Sequence, residues 1–311
     1  MPENRMFLPE GLRPPGSFTL SSLRDAMSSG AVLEAPVQRC GADRTLYIPL
    51  GPVAGQMARE EVLSPWISGS ERDISVLSRV GKVTCFTVKS ITADGKGTPV
   101  ALLSRREVQE QALDFFLEAL LPGTVLTCRV THLASFGAFL DIGCGVVAML
   151  PIERISISRI RHPGDRFQPG QKILAAVLSV DRERRRFTMT HRELLGTWME
   201  NASWFQPGET VPGIVRSVQP YGSFIELAPN LSGLADTRED LAPGDRVSVY
   251  IKSIRPERMK IKLQVIEKLP PDAALPPLRY QITDGRLEHW VYSPPNYEKE
   301  PVETDFTALS P

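Results

Sequence analysis

The chain has 311 residues, of which 42% are hydrophobic and 23% are charged, and its 36 basic and 36 acidic residues give a formal net charge of zero. This composition is typical of a soluble globular protein of two to three domains and excludes fibrous and wholly disordered chains. With no global charge, a nucleic acid or an anionic membrane would have to be met by a local patch.

No run approaches the roughly 18 to 20 apolar residues that span a bilayer, and residues 1–18 are too polar and proline-rich for a signal peptide. We therefore expect a cytoplasmic protein with no membrane partner. The four cysteines, Cys40, Cys85, Cys128 and Cys144, form no Cys-x-x-Cys pair, which favours buried free thiols over a metal or redox site.

Between residues 20 and 106 the pattern predicts a first unit of short strands. Strands are expected at 31–38, 46–51, 82–91 and 100–103. Residues 107–121 then have apolar side chains at helical spacing and predict a helical linker that ends before Pro122.

The next two units are copies of each other. Pro122-Gly123 recurs 85 residues later as Pro207-Gly208, and residues 136–142 align with 221–227 at the same offset as aromatic, glycine, small, aromatic, apolar, acidic, apolar. A second helical linker, 191–205, lies between the copies. Five short strands per unit with glycine-rich turns predict small all-β barrels rather than βαβ units.

One segment distinguishes the two copies. The second anchor, Pro169-Gly170, recurs as Pro243-Gly244 only 74 residues later, so the earlier copy carries about eleven extra residues. The insertion, 155–167, is predicted to be a basic loop. After each anchor a strand (173–180, 247–254) and a final strand (186–189, 260–263) complete the unit.

The last 43 residues contain eight prolines and predict an extended tail. Strands at 278–282 and 287–292 around Asp284-Gly285 would form a hairpin. Because an isolated hairpin is marginal in water, Tyr280, Trp290 and Tyr292 are expected to lie against the third barrel. No structure is assigned from residue 293 onward.

Strand alternation indicates where the aromatic residues point. Since Leu140 and Ile142 share the inward face, Phe139 is predicted to face solvent, and the same reasoning places Phe224 and Tyr47 outside. Phe136 and Tyr221 would face inward by simple alternation, or outward if a β-bulge lies at the glycine that follows each.

Positive charge is concentrated near the first of these aromatic pairs. Residues 120–205 contain 11 Lys and Arg against 7 Asp and Glu, including Arg182, Arg184, Arg185 and Arg186. Exposed aromatic rings flanked by cations are what a single-stranded nucleic acid requires, because bases stack on the rings and cations bind the phosphates.

Each unit resembles the RNA-binding domain first named in bacterial small-subunit ribosomal protein S1, a five-stranded barrel of the OB fold. The resemblance covers about residues 20–268 and rests on the Pro-Gly before strand one, the aromatic-Gly-x-aromatic of strand two, and the basic residue that opens strand five. The segment around Trp198 is similar to the inter-domain segment of tandem copies. The whole chain resembles the short three-copy relatives of Gram-positive bacteria.

The resemblance implies RNA contacts at positions that this sequence fills unequally. In the second unit Pro151 stands where the family has a histidine. In the third unit Arg255 stands where the family has an aspartate, and Asp236 lies near the histidine position. In the first unit Arg44 and Val100 stand at contact positions, so this copy is degenerate. Together with the local arginines, the predicted RNA-binding residues are Phe136, Phe139, Asp181, Arg184, Arg185, Arg186, Tyr221, Phe224 and Lys260.

The sequence thus predicts an all-β protein with three tandem five-stranded OB-fold barrels. The predicted organisation is an N-terminal extension (1–19), a degenerate first barrel (20–106), a helical linker (107–121), a second barrel (122–190), a helical linker (191–206), a third barrel (207–268) and a proline-rich tail (269–311).

The predicted function is low-selectivity binding of single-stranded RNA, with mRNA binding in translation at or near the small ribosomal subunit implied by the resemblance. We expect a monomer with no cofactor, no metal and no catalytic residues, since the four histidines are scattered and no phosphate-binding loop is present. The alternative is a protein-interaction module that docks to the ribosome or to an RNA-processing complex, with RNA contact secondary.

Overall fold

A computed structural model describes residues 7–14, 16–66, 73–95, 97–273 and 277–309. Residues 1–6 and 15 of the predicted N-terminal extension, 67–72 and 96 of the predicted first barrel, and 274–276 and 310–311 of the predicted tail lie outside the described residues. The secondary structure is mostly β, in agreement with the predicted class. The elements are α1 (Leu20–Ser29), β1 (Leu33–Pro36), β2 (Arg39–Cys40), β3 (Leu46–Leu50), β4 (Val53–Met57), α2 (Asp73–Leu77), β5 (Val83–Ala93), β6 (Pro99–Ser104), α3 (Arg106–Ala119), β7 (Val125–Ala134), β8 (Gly137–Gly143), β9 (Val146–Pro151), β10 (Lys172–Asp181), β11 (Arg186–Thr190), α4 (Trp198–Ala202), β12 (Thr210–Gln219), β13 (Gly222–Ala228), β14 (Leu231–Ala235), β15 (Arg246–Arg255), β16 (Lys260–Lys268), β17 (His289–Val291) and β18 (Glu303–Asp305).

The second and third units are closed five-stranded barrels of identical topology. Their strand orders are β10-β11-β9-β8-β7 and β15-β16-β14-β13-β12. In each, the third and fifth strands pair in parallel and the other neighbours are antiparallel. The inward residues alternate along each strand, as Ala138, Leu140 and Ile142 do on β8, and form the apolar cores.

The first unit has the same order with its first strand broken in two. Its six-stranded sheet runs β1-β5-β6-β4-β3-β2. β1 pairs with β5, which corresponds to the fourth strand of the closed barrels, and β2 pairs with β3, which corresponds to their second strand. Between them the Val37 amide donates to Lys82 O and the Gln38 amide donates to Tyr47 O. The predicted strand 31–38 is therefore a bent strand that reaches both edges of the sheet.

Helix α3 is the predicted first linker. Its apolar face, with Val108, Ala112 and Phe116, is buried in the core of the second barrel. Phe7 of the N-terminal segment packs edge to face on Phe116 with ring centroids 6.2 Å apart. The second linker is helical only in part, because Gly196, at φ 83°, separates a short 3-10 turn from α4.

Glu10 joins the first unit to the second barrel. Its buried carboxylate accepts hydrogen bonds from Arg105 and Arg79, while its backbone amide donates to Asp141 of β8. Burial opposes ionisation, but the two guanidinium groups hold the pKa of Glu10 well below its ordinary value. Burial, together with the charge of Glu10, raises the pKa of Asp141 to about 7.

The insertion predicted as a basic loop contacts the third barrel directly. Ser158 donates its amide to Pro229 O, and its hydroxyl lies 2.7 Å from that of Ser232. Arg166 forms an ion pair with Glu226 of β13, and both side chains are buried. The extra residues of the second copy therefore serve to dock its neighbour.

The tail departs from the prediction. Residues 278–282 form no strand, and the predicted hairpin around Asp284-Gly285 is wrong: β17 pairs instead with β18, which lies in the stretch to which no structure was assigned. The tail amides and carbonyls are used in bonds between segments, since Leu287 N donates to Gly123 O and Val125 N donates to Gly285 O. These bonds attach the tail to the start of the second barrel.

The three tail aromatics divide between the barrels. Trp290 and Tyr292 are buried in the core of the third barrel, as predicted, and the Tyr292 hydroxyl donates to Asn230 O. Tyr280 instead bonds to the second barrel and the linker: its oxygen accepts from Leu174 N and its ring packs on His191. Tyr280 also packs against the core cluster of the third barrel, as expected, so it contacts both barrels where the tail passes between them.

Two expectations concern thiols and membranes. Cys85, Cys128 and Cys144 are buried, and burial raises the pKa of Cys85 and of Cys128; Cys40 is only half-buried, which corrects its predicted burial. Among the described helices, none combines the length and the apolar character needed to traverse a bilayer.

Candidate nucleic-acid interface

Two pairs of aromatic rings stand on the outside of the second and third barrels in the same geometry. Phe136 and Phe139 meet edge to face with ring centroids 6.0 Å apart and planes at 88°. Tyr221 and Phe224 do the same at 6.2 Å and 89°. Phe136 is 55% exposed and Tyr221 68%, so the leading ring of each pair is open to solvent.

The leading rings face outward without the bulge considered from the sequence. Phe136 and Tyr221 lie in the turns just before β8 and β13, not on the strands, and the register irregularities of β8 and β13 fall near their far ends, after Asp141 and Glu226, rather than at the glycine that follows each ring. The glycines that follow have a different role. A Cβ on Gly137 would lie 2.5 Å from Leu150 O, and one on Gly222 would lie 2.5 Å from Ala235 O. Only glycine lets these strands approach their neighbours so closely.

Around Phe139 a row of surface side chains runs across four strands. Phe139 on β8 pairs with His132 on β7 and with Met149 on β9, which pairs with Thr188 on β11. The His132 ring lies 5.9 Å from that of Phe139, centroid to centroid, and is exposed. Sequence reasoning counted His132 among scattered histidines, because only strand register brings it beside the ring.

The corresponding row in the third barrel carries a cation. Phe224 pairs with Ser217 and with Leu234, and Leu234 pairs with Lys262. Lys262 is exposed and was not among the predicted site residues. The predicted Lys260 opens the same strand, two residues earlier on the same face, and pairs with Arg255.

The predicted arginines divide into two groups. Arg184 and Arg186 are exposed, and Arg186 pairs with Asp181 at the start of the final strand. Asp181 accepts the Arg184 amide at 2.9 Å and so closes the turn. Arg185 points the other way: its guanidinium bonds to Asp114 of α3 and lies 4.9 Å above the Trp66 ring of the first unit.

The outward acidic positions of the two barrels are covered. Asp141 and Glu226, which follow Phe139 and Phe224 by two residues on the same face, are both buried by neighbouring segments. Asp141 is covered by residues around Glu10 and Glu226 by Arg166. The contacts that bury these two carboxylates therefore leave the leading ring of each pair exposed.

The first unit has lost the open ring. Its equivalent aromatic, Tyr47, is covered by the Arg39 guanidinium 3.6 Å from the ring centroid. Arg44, at the position of the leading ring, pairs with Asp73 instead. Both observations agree with the degenerate pattern of the sequence.

Residues 121–192 match the protein family described as "S1 RNA binding domain". The matched residues coincide with the second barrel. The chain is also 31% identical over 187 residues to the small ribosomal subunit protein bS1 homolog of Bacillus subtilis, covering 54% of this chain and 49% of that protein. With bS1 of Leuconostoc lactis it is 30% identical, covering 54% and 43%.

The chain spans about half the length of the curated relatives it matches. Among solved structures it is similar to a multidomain protein with nucleic acid binding domains from Streptococcus pneumoniae, at 14% identity and a TM-score of 0.26 over 76% of this chain and 73% of that one. The intact alpha subunit of aIF2 from Pyrococcus abyssi gives 27% identity and a TM-score of 0.23 over 24% and 30%. The OB-type topology itself is read from the strand pairing.

Proposed function

We propose that this protein binds single-stranded RNA through the outer faces of its second and third barrels. The observation that supports this proposal is the duplicated pair of edge-to-face rings, Phe136 with Phe139 and Tyr221 with Phe224, whose leading ring is exposed on both barrels. Bases stack on such rings with little dependence on sequence. The S1 domain match of the second barrel and the similarity to bS1 proteins support this chemistry.

Cations complete the proposed binding surface. Arg184 and Arg186 lie at the end of the second barrel's sheet, and Lys260 and Lys262 lie on the final strand of the third. Asp181 holds the turn that carries Arg184. Arg185, engaged by Asp114 and Trp66, stabilises the contact with the first unit and is not assigned to phosphate.

Two binding barrels on one chain act together. Once one barrel holds the strand, the second contact is intramolecular and has a high effective concentration. The insertion and the tail hold the two barrels side by side, so little flexibility has to be lost when both engage. We therefore expect tighter binding to strands long enough to reach both ring pairs.

The similarity to ribosomal proteins supports a proposal for the cellular role. We infer that the RNA is messenger RNA and that binding takes place in translation, at or near the small ribosomal subunit, by a monomeric cytoplasmic protein. The support is the similarity to small-subunit proteins bS1 over about half of the chain. Within the described residues no cluster of metal-ligating side chains occurs, and we assign no enzymatic role.

The test is a fluorescence anisotropy titration of the full chain with a labelled pyrimidine-rich RNA of about 16 nucleotides. We expect binding of the single strand that weakens steeply with salt, and much weaker binding of a duplex of the same sequence. Equal affinity for the duplex, or no binding at low salt, would overturn the proposal and favour the protein-interaction alternative.

A further inference from the structure

The ring pair of the third barrel lies in a groove that the second barrel helps to build. The groove has a volume of about 500 Å³ and is lined by Tyr221, Phe224 and Ser217 of the third barrel and by Ile157, Ser158 and Arg159 of the insertion. Buried Trp198 of the linker and Tyr292 of the tail also line it. The aromatic site of the third barrel is thus composite.

The insertion is fixed immediately before Arg159. Ile157 donates its amide to the Asn230 side chain at 3.0 Å, and Ser158 is bonded to Pro229 and Ser232. The Asn230 side-chain amide in turn donates to Arg192 O and Gly196 O in the linker. These bonds fix the two residues before Arg159, which itself lines the groove.

Three other arginines between the second and third barrels are engaged by groups of the protein itself. Arg166 and Arg216 share the buried carboxylate of Glu226, and Arg216 also pairs with Asp165. Arg161 donates to Pro243 O. Arg159 is exposed, and among the described residues no hydrogen bond or ion pair engages it. It is the groove-lining cation that remains available to a ligand.

We propose that Arg159 of the second barrel binds a phosphate of the strand whose base stacks on Tyr221 and Phe224 of the third barrel. This deepens the proposed function and rests on it. A guanidinium at the edge of an aromatic groove suits a nucleotide, because the base can stack on the aromatic rings while the phosphate accepts hydrogen bonds from the guanidinium N–H groups. The insertion, absent from the third copy, therefore serves as part of its neighbour's binding site.

The ring pairs of the two barrels have different surroundings. The ring pair of the second barrel lies in an open row on the sheet surface, whereas that of the third lies in a walled groove with the hydroxyls of Ser158, Ser217 and Ser232. A walled groove holds one nucleotide in a defined position. Arg159 belongs to this nucleotide and not to those on Phe139.

The experiment is a double-mutant cycle on the full chain, with the labelled single-stranded RNA as the probe. Affinity and its salt dependence are measured for Arg159→Ala, Phe224→Ala, Phe139→Ala and the two double variants that contain Arg159→Ala. We expect Arg159→Ala to weaken binding and to reduce the slope of log K against log salt by about 0.7. Its effect should shrink in the Phe224→Ala background and stay unchanged in the Phe139→Ala background.

Arg161→Ala is the matched control, since it removes a nearby arginine of the same loop whose guanidinium bonds to the backbone. Circular dichroism melting checks that each variant is folded. If Arg159→Ala leaves affinity and slope unchanged while Phe139→Ala and Phe224→Ala weaken binding, the composite groove is wrong and the proposed function stands. Equal coupling of Arg159 to Phe139 and to Phe224 would also overturn the composite groove. Absence of RNA binding by the unaltered chain would overturn both.

Discussion

The Tyr221 ring meets that of Phe224 edge to face, with centroids 6.2 Å apart, and repeats the relationship of Phe136 to Phe139 in the preceding barrel. Both pairs lie at the junction between a turn and the second strand. A shared strand register and a required glycine reproduce the geometry in two sequences whose rings differ.

Removing the half-buried ring of Phe139 should weaken RNA binding without unfolding the barrel. Phe139→Ala is expected to weaken RNA binding by about 1 to 3 kcal/mol, the worth of one stacked base. The barrel should remain folded, because its core is made by Leu140 and its inward neighbours. The measurement is anisotropy, with thermal melting in parallel.

Tyr250→Ala provides a control for loss of an exposed ring. Tyr250 is 37% exposed, as is Phe224, but it lies on β15, which is not a neighbour of β13. We expect it to leave affinity unchanged. A collapse of folding in Phe139→Ala would assign that ring to the core instead.

Arg186 and Arg182, which lie in the same cluster of arginines, should differ in their contribution to RNA binding. Arg186→Ala is expected to lower affinity and to reduce the salt slope by about 0.7, since one phosphate contact is lost. Arg182→Ala should do neither, because its guanidinium donates to Leu117 O of α3. Salt titrations of both variants make the comparison, and equal slopes for the two would remove Arg186 from the site.

The buried ion pair between barrels should matter for stability. Glu226→Gln leaves the buried guanidinium of Arg166 without its carboxylate, and we expect a loss of about 3 to 5 kcal/mol in the free energy of unfolding. Asp236→Asn, which breaks the exposed pair with Lys252, should cost less than about 1 kcal/mol. Urea denaturation measures both, and similar losses would contradict the account.

His191 should make stability depend on pH. Its Nδ1–H donates to Ile155 O, so Nε2 accepts from the Tyr280 hydroxyl. Burial, aided by the Arg166 charge, lowers its pKa from 6.5 to about 4. The unfolded chain thus binds a proton that the folded chain does not, and about 3 kcal/mol of stability should be lost as the pH falls from 6.5 to 4.

The check is the difference between the unaltered protein and His191→Gln in urea midpoints across this range. The variant is expected to be less stable at pH 7 but to lack this component of the acid loss. His289→Gln, at an exposed histidine, is the control. An acid profile of His191→Gln identical in shape to that of the unaltered chain would show that His191 does not titrate on unfolding.

Much of the fold could be predicted from periodicity. The 85-residue offset located both barrels, and strand alternation placed Phe139 and Phe224 outside. The tail pairing could not be predicted, because β17 pairs with a strand beyond Pro294 and Pro295, whereas Asp284-Gly285 is a local signal that also fits a simple turn.

The rest of the site depends on contacts distant in sequence. Strand register places His132 beside the Phe139 ring and Lys262 one strand beyond the neighbour of Phe224, and Arg159 lines the groove of the third barrel only through the fold of its own loop. Arg185 looked equivalent to Arg186 in sequence, yet its φ of 54° turns it toward α3. A single sequence contains no signal for such placements.

The central claim is that RNA lies on the ring pairs of the second and third barrels. The most direct measurement is photo-crosslinking of the full chain to a thiouridine-containing single-stranded RNA, followed by mass-spectrometric mapping of the linked residues. We predict crosslinks at Phe136 or Phe139 and at Tyr221 or Phe224. Crosslinks confined to the first unit, for example at exposed Trp66, or to the tail would contradict it.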